Sequence, residues 1–491
     1  MDIYELLTTP MEYSRKLRAL AQAAENSVQP LAFSAATTQL LKSGALDDMA
    51  EGNAPWRPRY ILPDYQRLFT EGCRWLELAP PTDLDEALYT LLIFYTYVPS
   101  ITSYPVYLGA LDQLLAPFAE AVAPETLERK LALFLRAVDR MFPDNFVHYN
   151  IGPRASKVGQ ALLAAEAKLK QSVPNLSLLC SAETEADFLE LAVQTALKLS
   201  KPYFVNNVRL EQFYDGRCGV ASCYNTLPIG GGAYTLTRIN LKELAAGTDA
   251  GREEFIEAVL PAAARALAEL TEKRIRFLVE TSGFFASSFL VDEGFLRRER
   301  FTAMAGIVGL AEAVAMIGER EGQALILGRD QAAAELGQQI IARLESELAA
   351  IPMPYCEISG GRALLHAQVG MPFDVDTTPG TRIATEHIPP LLDQLNVELP
   401  FHKFFPAGTS SILVFDQTAA KNPAALTDII RGAFAQGALT LSMNSVDSDV
   451  VRITGYLVRR KDLERMGWHS VDDNAVETVE RLGVLRRRAN S

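Results

Sequence analysis

The sequence predicts an α/β protein, and three observations carry that expectation. Long segments repeat apolar residues at three- and four-residue spacing, short apolar runs separate them, and 48% of the 491 residues are hydrophobic. That content allows a large buried core and argues against wholesale disorder. The length suits two or three ordinary domains, or one large α/β barrel with additions.

The first 170 residues read mainly as helices, with the clearest periodicity over 127–138 and 158–169. The stretch 87–111 holds no charged residue, yet it contains Pro99, Pro105, Thr96, Ser100, Tyr104 and Tyr107. Lipid would leave those polar groups and the broken backbone unsatisfied, so a buried helix running into an irregular loop is expected. From residue 174, strand-like runs at 176–179, 275–279, 324–327 and 411–415 alternate with helical patterns at 253–271, 302–317 and 336–348. Composition shifts near residue 421, where Lys421-Asn422-Pro423 signals a turn. A helix over 424–435, an extended run over 438–443 and a strand-like segment over 451–458 follow, the last interrupted at Thr454-Gly455. The predicted division is 1–420, a helical N-terminal part plus the α/β core, and 421–491.

A formal net charge of −13, from 60 acidic and 47 basic residues, disfavours a nonspecific grip on nucleic acid. Arg459-Arg460-Lys461 and Arg486-Arg487-Arg488 are short basic runs that read as solvated faces. The first residues include Asp2 and Glu5 and lack the basic-then-apolar order of an export signal. Cysteines at 73, 180, 218, 223 and 356 are too few and scattered for a disulfide framework, which points to the cytoplasm. No CxxC occurs and the histidines at 148, 366, 387, 402 and 469 are isolated, so no structural zinc site is expected. Gly230-Gly231-Gly232 lacks the Lys and Ser/Thr of a phosphate loop.

Arg452-Ile453-Thr454-Gly455-Tyr456 lies among apolar neighbours, with Gly455 standing 36 residues from the end of the chain. An isolated glycine in a strand usually marks a turn or bulge. This pentapeptide, however, resembles the radical-site signature of the glycyl radical enzymes, Arg-(Val/Ile)-x-Gly-Tyr. Loss of a glycine α-hydrogen leaves an electron shared between a donating amide nitrogen and a withdrawing carbonyl. That radical is stable when planar, and a side chain would crowd the planar form. The approach Gly437 to Asn444 is similar to that of the same family.

A cysteine loop supports the resemblance. In these enzymes a cysteine on a hairpin inside a barrel relays the radical to substrate. Here Cys218 and Cys223 precede Asn240-Leu241-Lys242 by 22 and 17 residues, and pyruvate formate-lyase and its relatives carry a similar Asn-Leu after their active cysteine. The shorter interval matches better and assigns the relay to Cys223, with Cys218 secondary; both also read as small buried apolar residues. Residues 174–178, followed by Phe188 and 201–207, resemble the family's strand and following helix ahead of the loop. Gly306-Ile307-Val308-Gly309-Leu310-Ala311-Glu312 is similar to one of its glycine-rich helices. The similarity spans roughly 140–465 and fits the YjjI-type glycyl radical enzymes in particular.

The resemblance implies a ten-stranded type of α/β barrel, two parallel half-barrels around a cysteine hairpin, and a C-terminal glycyl radical domain. It implies a homodimer that binds no cofactor or metal and acts on a small organic molecule. The radical would be installed on Gly455 by a separate radical S-adenosylmethionine iron–sulfur activase, since this chain has no three-cysteine cluster motif. The substrate is left open. Formate-lyases carry adjacent cysteines, whereas Cys223 sits between Ser222 and Tyr224. Diol and amine lyases place a glutamate two residues after the cysteine, where Asn225 stands here. Anaerobic ribonucleotide reductases add paired CxxC motifs, and no cysteine follows 356. A reductase-like or formate acetyltransferase-like activity, or a non-catalytic repair subunit, are the alternatives. His148, Asn150, Asn225 and Glu386 are candidate substrate contacts, though each reads first as an ordinary hydrogen-bonded residue. Cys180 reads as a second redox group or a core cysteine.

Overall fold

Helix Pro124–Met141 shows how the N-terminal part forms. Proline suits its first turn, and Leu127, Leu131, Phe134, Leu135 and Val138 bury one face. Helix Lys157–Leu169 begins where the Ser156 hydroxyl accepts from the Gly159 amide at 2.9 Å. Helices Ile3–Thr8, Tyr13–Glu25, Ala35–Ser43, Tyr65–Glu71, Leu84–Tyr95 and Leu111–Ala119 complete the helical region around short strands Leu46–Asp47 and Tyr60–Leu62. The uncharged stretch is the end of Leu84–Tyr95 and an irregular connector. Among the described residues, no helix is long and apolar enough to cross a membrane.

This computed structural model describes residues 2–463 apart from 12, 102, 103, 143, 369, 371–373, 375, 417, 446, 447 and 454. Thr454, His469 and Arg486-Arg487-Arg488 therefore lie outside the described residues.

Ten strands form two five-stranded sheets. In the first, Gly231–Asn240, Phe301–Val308 and Ala363–Ala367 run parallel, and the two short N-terminal strands add antiparallel to Gly231–Asn240. In the second, His148–Ile151, Asn175–Cys180 and Tyr203–Asn206 run parallel, and Thr440–Ser445 joins antiparallel to Tyr203–Asn206. Ser411–Phe415 completes that sheet, parallel to Thr440–Ser445. Helix Pro423–Ala435 packs against Ala186–Leu199, so residues 423–445 are built onto the second sheet.

Three expectations change. The pattern over 302–317 is not one helix but the strand Phe301–Val308, then Gly309 at φ +77°, then helix Leu310–Arg320. All eight strand residues are buried between parallel neighbours, so the run is apolar at nearly every position and lacks the alternation that marks a half-exposed strand. The supposed glycine-rich helix is therefore a strand, a left-handed turn and a helix start. Residues 275–279 are the end of helix Leu260–Arg276 and a π-turn, Phe277–Thr281, because a short apolar run continues the long helix before it. Residues 324–327 form no strand; they bury Leu325 and Leu327 as a connector, and the Ile326 amide donates to Asp330 ahead of helix Gln331–Ala350.

Asn240-Leu241-Lys242 has a local role. The Asn240 side chain accepts from the Glu243 amide at 3.3 Å and starts helix Leu241–Ala246 where strand Gly231–Asn240 ends.

Candidate active site

Strands Cys218–Ala221 and Asn225–Pro228 pair antiparallel, with Ala221 opposite Asn225, leaving Ser222, Cys223 and Tyr224 as the tip. Ser222 turns the chain at φ +59°, a left-handed conformation costly for a residue with a side chain. Cys223 thus occupies the tip, and Cys218 the base, paired with Pro228.

Polar groups from both sheets grip the hairpin. Asn150 donates to the Val220 carbonyl at 2.8 Å and accepts from the Val220 amide at 2.9 Å. The His148 Nδ1 lies 2.6 Å from the Ser222 carbonyl. A carbonyl only accepts, so Nδ1 carries the proton and Nε2 accepts from the Ser177 hydroxyl at 2.9 Å. On the other side, the Tyr224 hydroxyl donates to the Ala367 carbonyl at 2.7 Å, and Tyr224 stacks on His366 with centroids 5.4 Å apart. The Thr226 amide donates to the Ala407 carbonyl at 2.9 Å. Gly408, at φ +131°, passes so close that a Cβ there would meet the Tyr224 carbonyl at 2.2 Å.

Gly455 is buried in the turn of a second hairpin, Val450–Ile453 with Tyr456–Arg459, in which Ile453 pairs with Tyr456. Val451 and Val458 of that hairpin share one apolar cluster with Cys223, Tyr224, Tyr203 and Leu179. Arg452 is 1% exposed and donates to the Ser200 carbonyl at 2.7 Å and to the Asn175 side-chain oxygen at 3.2 Å, with its guanidinium 3.5 Å from the Tyr203 ring centroid. Asn444 accepts from the Arg452 amide and donates to its carbonyl. Asn175 joins the two hairpins, since its amide nitrogen lies 3.4 Å from the Ser222 carbonyl.

Burial raises the Cys223 thiol above its ordinary range, opposed by the Tyr224 backbone and by the charges of Arg382 and Arg452. At neutral pH this sulfur carries its hydrogen. Burial also pushes Cys218 up to about 12, and its thiol donates to the Leu210 carbonyl at 3.2 Å. Cys218 lines a cavity of about 420 Å³ with Tyr107, Asn150 and Arg217. Burial takes His148 and His366 down to about 3, so both rings are neutral.

Of the sequence candidates, Cys223 and the residues flanking Gly455 meet in one apolar cluster. His148 and Asn150 hold the hairpin backbone, and Asn225 puts its side-chain oxygen 3.7 Å from the Cys223 sulfur. Cys180 is a buried member of its strand. Glu386 is exposed on the turn Thr385–His387, outside this buried group. Sequence reasoning missed Asn175, Tyr203, His366, Arg382 and Gly408. His366 carried a signal as an isolated histidine, and Asn175 and Tyr203 lay in the segments 174–178 and 201–207 that resemble the family, but nothing marked Arg382 or Gly408, which distant segments bring in. Among the described residues, no three His, Cys, Asp or Glu side chains gather to hold a metal ion.

A family model described as glycyl radical enzyme YjjI-like matches residues 11–489. The Escherichia coli K12 protein YjjI is 40% identical over 464 residues, covering 94% of this chain and 89% of that protein. A Haemophilus influenzae protein is 41% identical over 462 residues, covering 93% and 89%. Solved structures share the fold at low identity. The anaerobic ribonucleotide reductase of Thermotoga maritima, in complex with dATP and CTP, superposes with a TM-score of 0.71 at 10% identity, covering 94% of this chain and 92% of that one. Hydroxyproline dehydratase of Clostridioides difficile gives 0.67 at 13% identity, covering 92% and 82%. With a family model spanning almost the whole chain and relatives at 40% identity, this chain belongs to the YjjI-like glycyl radical enzyme family.

Proposed function

We propose that the chain is a radical enzyme that stores an unpaired electron on Gly455 and uses Cys223 to abstract hydrogen from a small organic substrate. The observation that carries this reading is the apolar cluster in which the tip cysteine and the strands flanking the glycine pack together. The Gly455 radical takes the hydrogen atom of the Cys223 thiol, leaving a thiyl radical. The thiyl takes a hydrogen atom from a substrate C–H bond, and after rearrangement the product radical takes it back. A thiolate would have no hydrogen to give, so the raised, protonated state of Cys223 suits the role. Water exclusion protects each radical.

The polypeptide serves as its own cofactor. A separate radical S-adenosylmethionine activase would install the radical, with the segment after residue 420 acting as the radical domain. The test is electron paramagnetic resonance of protein co-expressed anaerobically with its activase. A doublet from coupling to one α-hydrogen is expected and should be absent from Gly455→Ala; a doublet that survives in this variant moves the radical elsewhere.

A further inference from the structure

Hydrogen-bond donors without partners collect around the hairpin tip. Among the described residues, Asn225 Nδ2 and Arg382 Nη2 are buried donors with no hydrogen-bond partner, while the Arg452 guanidinium and the Tyr203 hydroxyl bond each other and His366 reaches Gln368. Buried polar groups are rarely left so, and a cluster of them marks a place where a partner arrives. The groups are neighbours. Asn225 touches the Cys223 sulfur, His366 stacks on Tyr224, and the Arg382 guanidinium lies 5.5 Å from the centroid of the same Tyr224 ring.

The charges in this interior do not cancel. Arg59 pairs with Glu51 at 3.0 Å. The Arg382 Nε donates to the Ser410 carbonyl at 2.9 Å, and Arg452 donates to the Ser200 carbonyl and to an amide oxygen, so these bonds bring no negative charge. The acid that acts on Arg382 is Glu398, and burial raises it toward its neutral form. The side-chain acceptors in the group are neutral: Gln368 Oε1, the Asn225 oxygen beside the Cys223 sulfur, and the hydroxyls of Ser222 and Thr226. The aromatic faces are taken as well: His366 and Arg382 lie against Tyr224, and His148 and Arg452 against Tyr203. A cationic substrate would find only neutral acceptors and no open ring.

We propose that this interior takes an organic anion, a carboxylate or a phosphate ester, whose charged group pairs with the free Nη2 of Arg382 while Asn225 and His366 hold the carbon offered to Cys223. The inference rests on the radical reading for the identity of the reacting carbon; anion binding does not need the radical. A guanidinium meets carboxylate and phosphate oxygens alike, through charge-assisted hydrogen bonds.

The experiment is anaerobic calorimetric titration of the full-length, unactivated protein with matched probes. Lactate is compared with propane-1,2-diol, glycerol 3-phosphate with glycerol, and choline supplies the cation. At least one anion should bind about tenfold or more tightly than its neutral counterpart. Arg382→Gln should lose about tenfold or more of that affinity, and Arg382→Lys should recover part of it. Lactate binding alone identifies a carboxylate substrate, and glycerol 3-phosphate alone a phosphate ester. Equal binding of the diols or of choline, no anion binding at about 10 mM, or an Arg382→Gln variant with full anion affinity would overturn the proposal. The Gly455→Ala variant should bind the anion as the parent does. Loss of the radical reading would appear as a missing paramagnetic doublet with anion binding intact, and loss of this inference as the reverse.

Discussion

Two cysteines of the same hairpin differ in position more than in chemistry. Both thiols are raised by burial, so both hold the hydrogen a radical would take. Cys223 stands at the tip, in the cluster of Val451 and Val458, whereas Cys218 lies at the base beside an open cavity. Hydrogen transfer needs reacting atoms about 3–3.5 Å apart, so few sulfurs can serve. In activated protein held in deuterated water, Cys223→Ser should keep the doublet but stop exchange of the Gly455 α-hydrogen, because a serine O–H is too strong to yield its hydrogen. Cys218→Ser should still exchange. The opposite pattern in the paramagnetic spectra would assign the relay to Cys218. Asn175 connects the two hairpins through Ser222 and Arg452, which makes it a positioning residue for the pair.

At the scale of elements, the cysteine hairpin depends on backbone passing close to it. Strand Ala363–Ala367 supplies the carbonyl that holds Tyr224, and the chain at Gly408 runs against the Tyr224 carbonyl. A β-carbon at 408 would meet backbone, which cannot swing aside as a flexible side chain would. Gly408→Ala should therefore destabilise the fold by roughly 2–3 kcal/mol, combining overpacking with a left-handed backbone. Thermal unfolding monitored by circular dichroism would show it, and an unchanged Tm would mean that the hairpin is held less tightly than these contacts indicate.

Across the whole molecule, buried neutral histidines tie helices and hairpins to the sheets. His402 ends helix Leu391–His402, lies 3.2 Å from the Ser411 hydroxyl and accepts from the Leu439 amide at 3.0 Å, so it fastens that helix to the starts of two neighbouring strands of the second sheet. Burial, with Arg209 and Arg382 nearby, lowers it to about 3. The unfolded chain titrates such a ring near 6.5, so below that pH the unfolded state binds the extra proton. Stability from this group is full above about pH 6.5 and is lost as pH falls toward 3. Each such histidine contributes a slope of up to about 1.4 kcal/mol per pH unit. Buried acids work the other way: Asp112 is raised to about 6 by burial and gains stability as pH falls through that value. The comparison of His402→Asn with the parent cancels their effect. Between about pH 6 and 4 the variant's unfolding free energy should fall less steeply by about 1.4 kcal/mol per unit; parallel slopes in denaturant titrations would show that His402 is protonated in the fold.

The sequence by itself determined the segments on which the proposed radical chemistry rests. Arg452 to Tyr456 and the run from Cys218 to Lys242 are local patterns of residue type and interval, and they stay legible however the chain folds. Amphipathic helices such as Pro124–Met141 were legible for the same reason, since a half-buried face writes its period into the chain. Strands buried on both faces leave no such period, which is why Phe301–Val308 read as helix and why the central strand Gly231–Asn240 passed unnoticed. The environment of the cysteine is less legible still. Asn175, Tyr203, His366, Arg382 and Gly408 come from segments far apart in the chain and mean nothing by spacing. Only the tertiary structure brings them to one hairpin, because the packing of two sheets around it, and not any local preference, decides which distant side chains face Cys223.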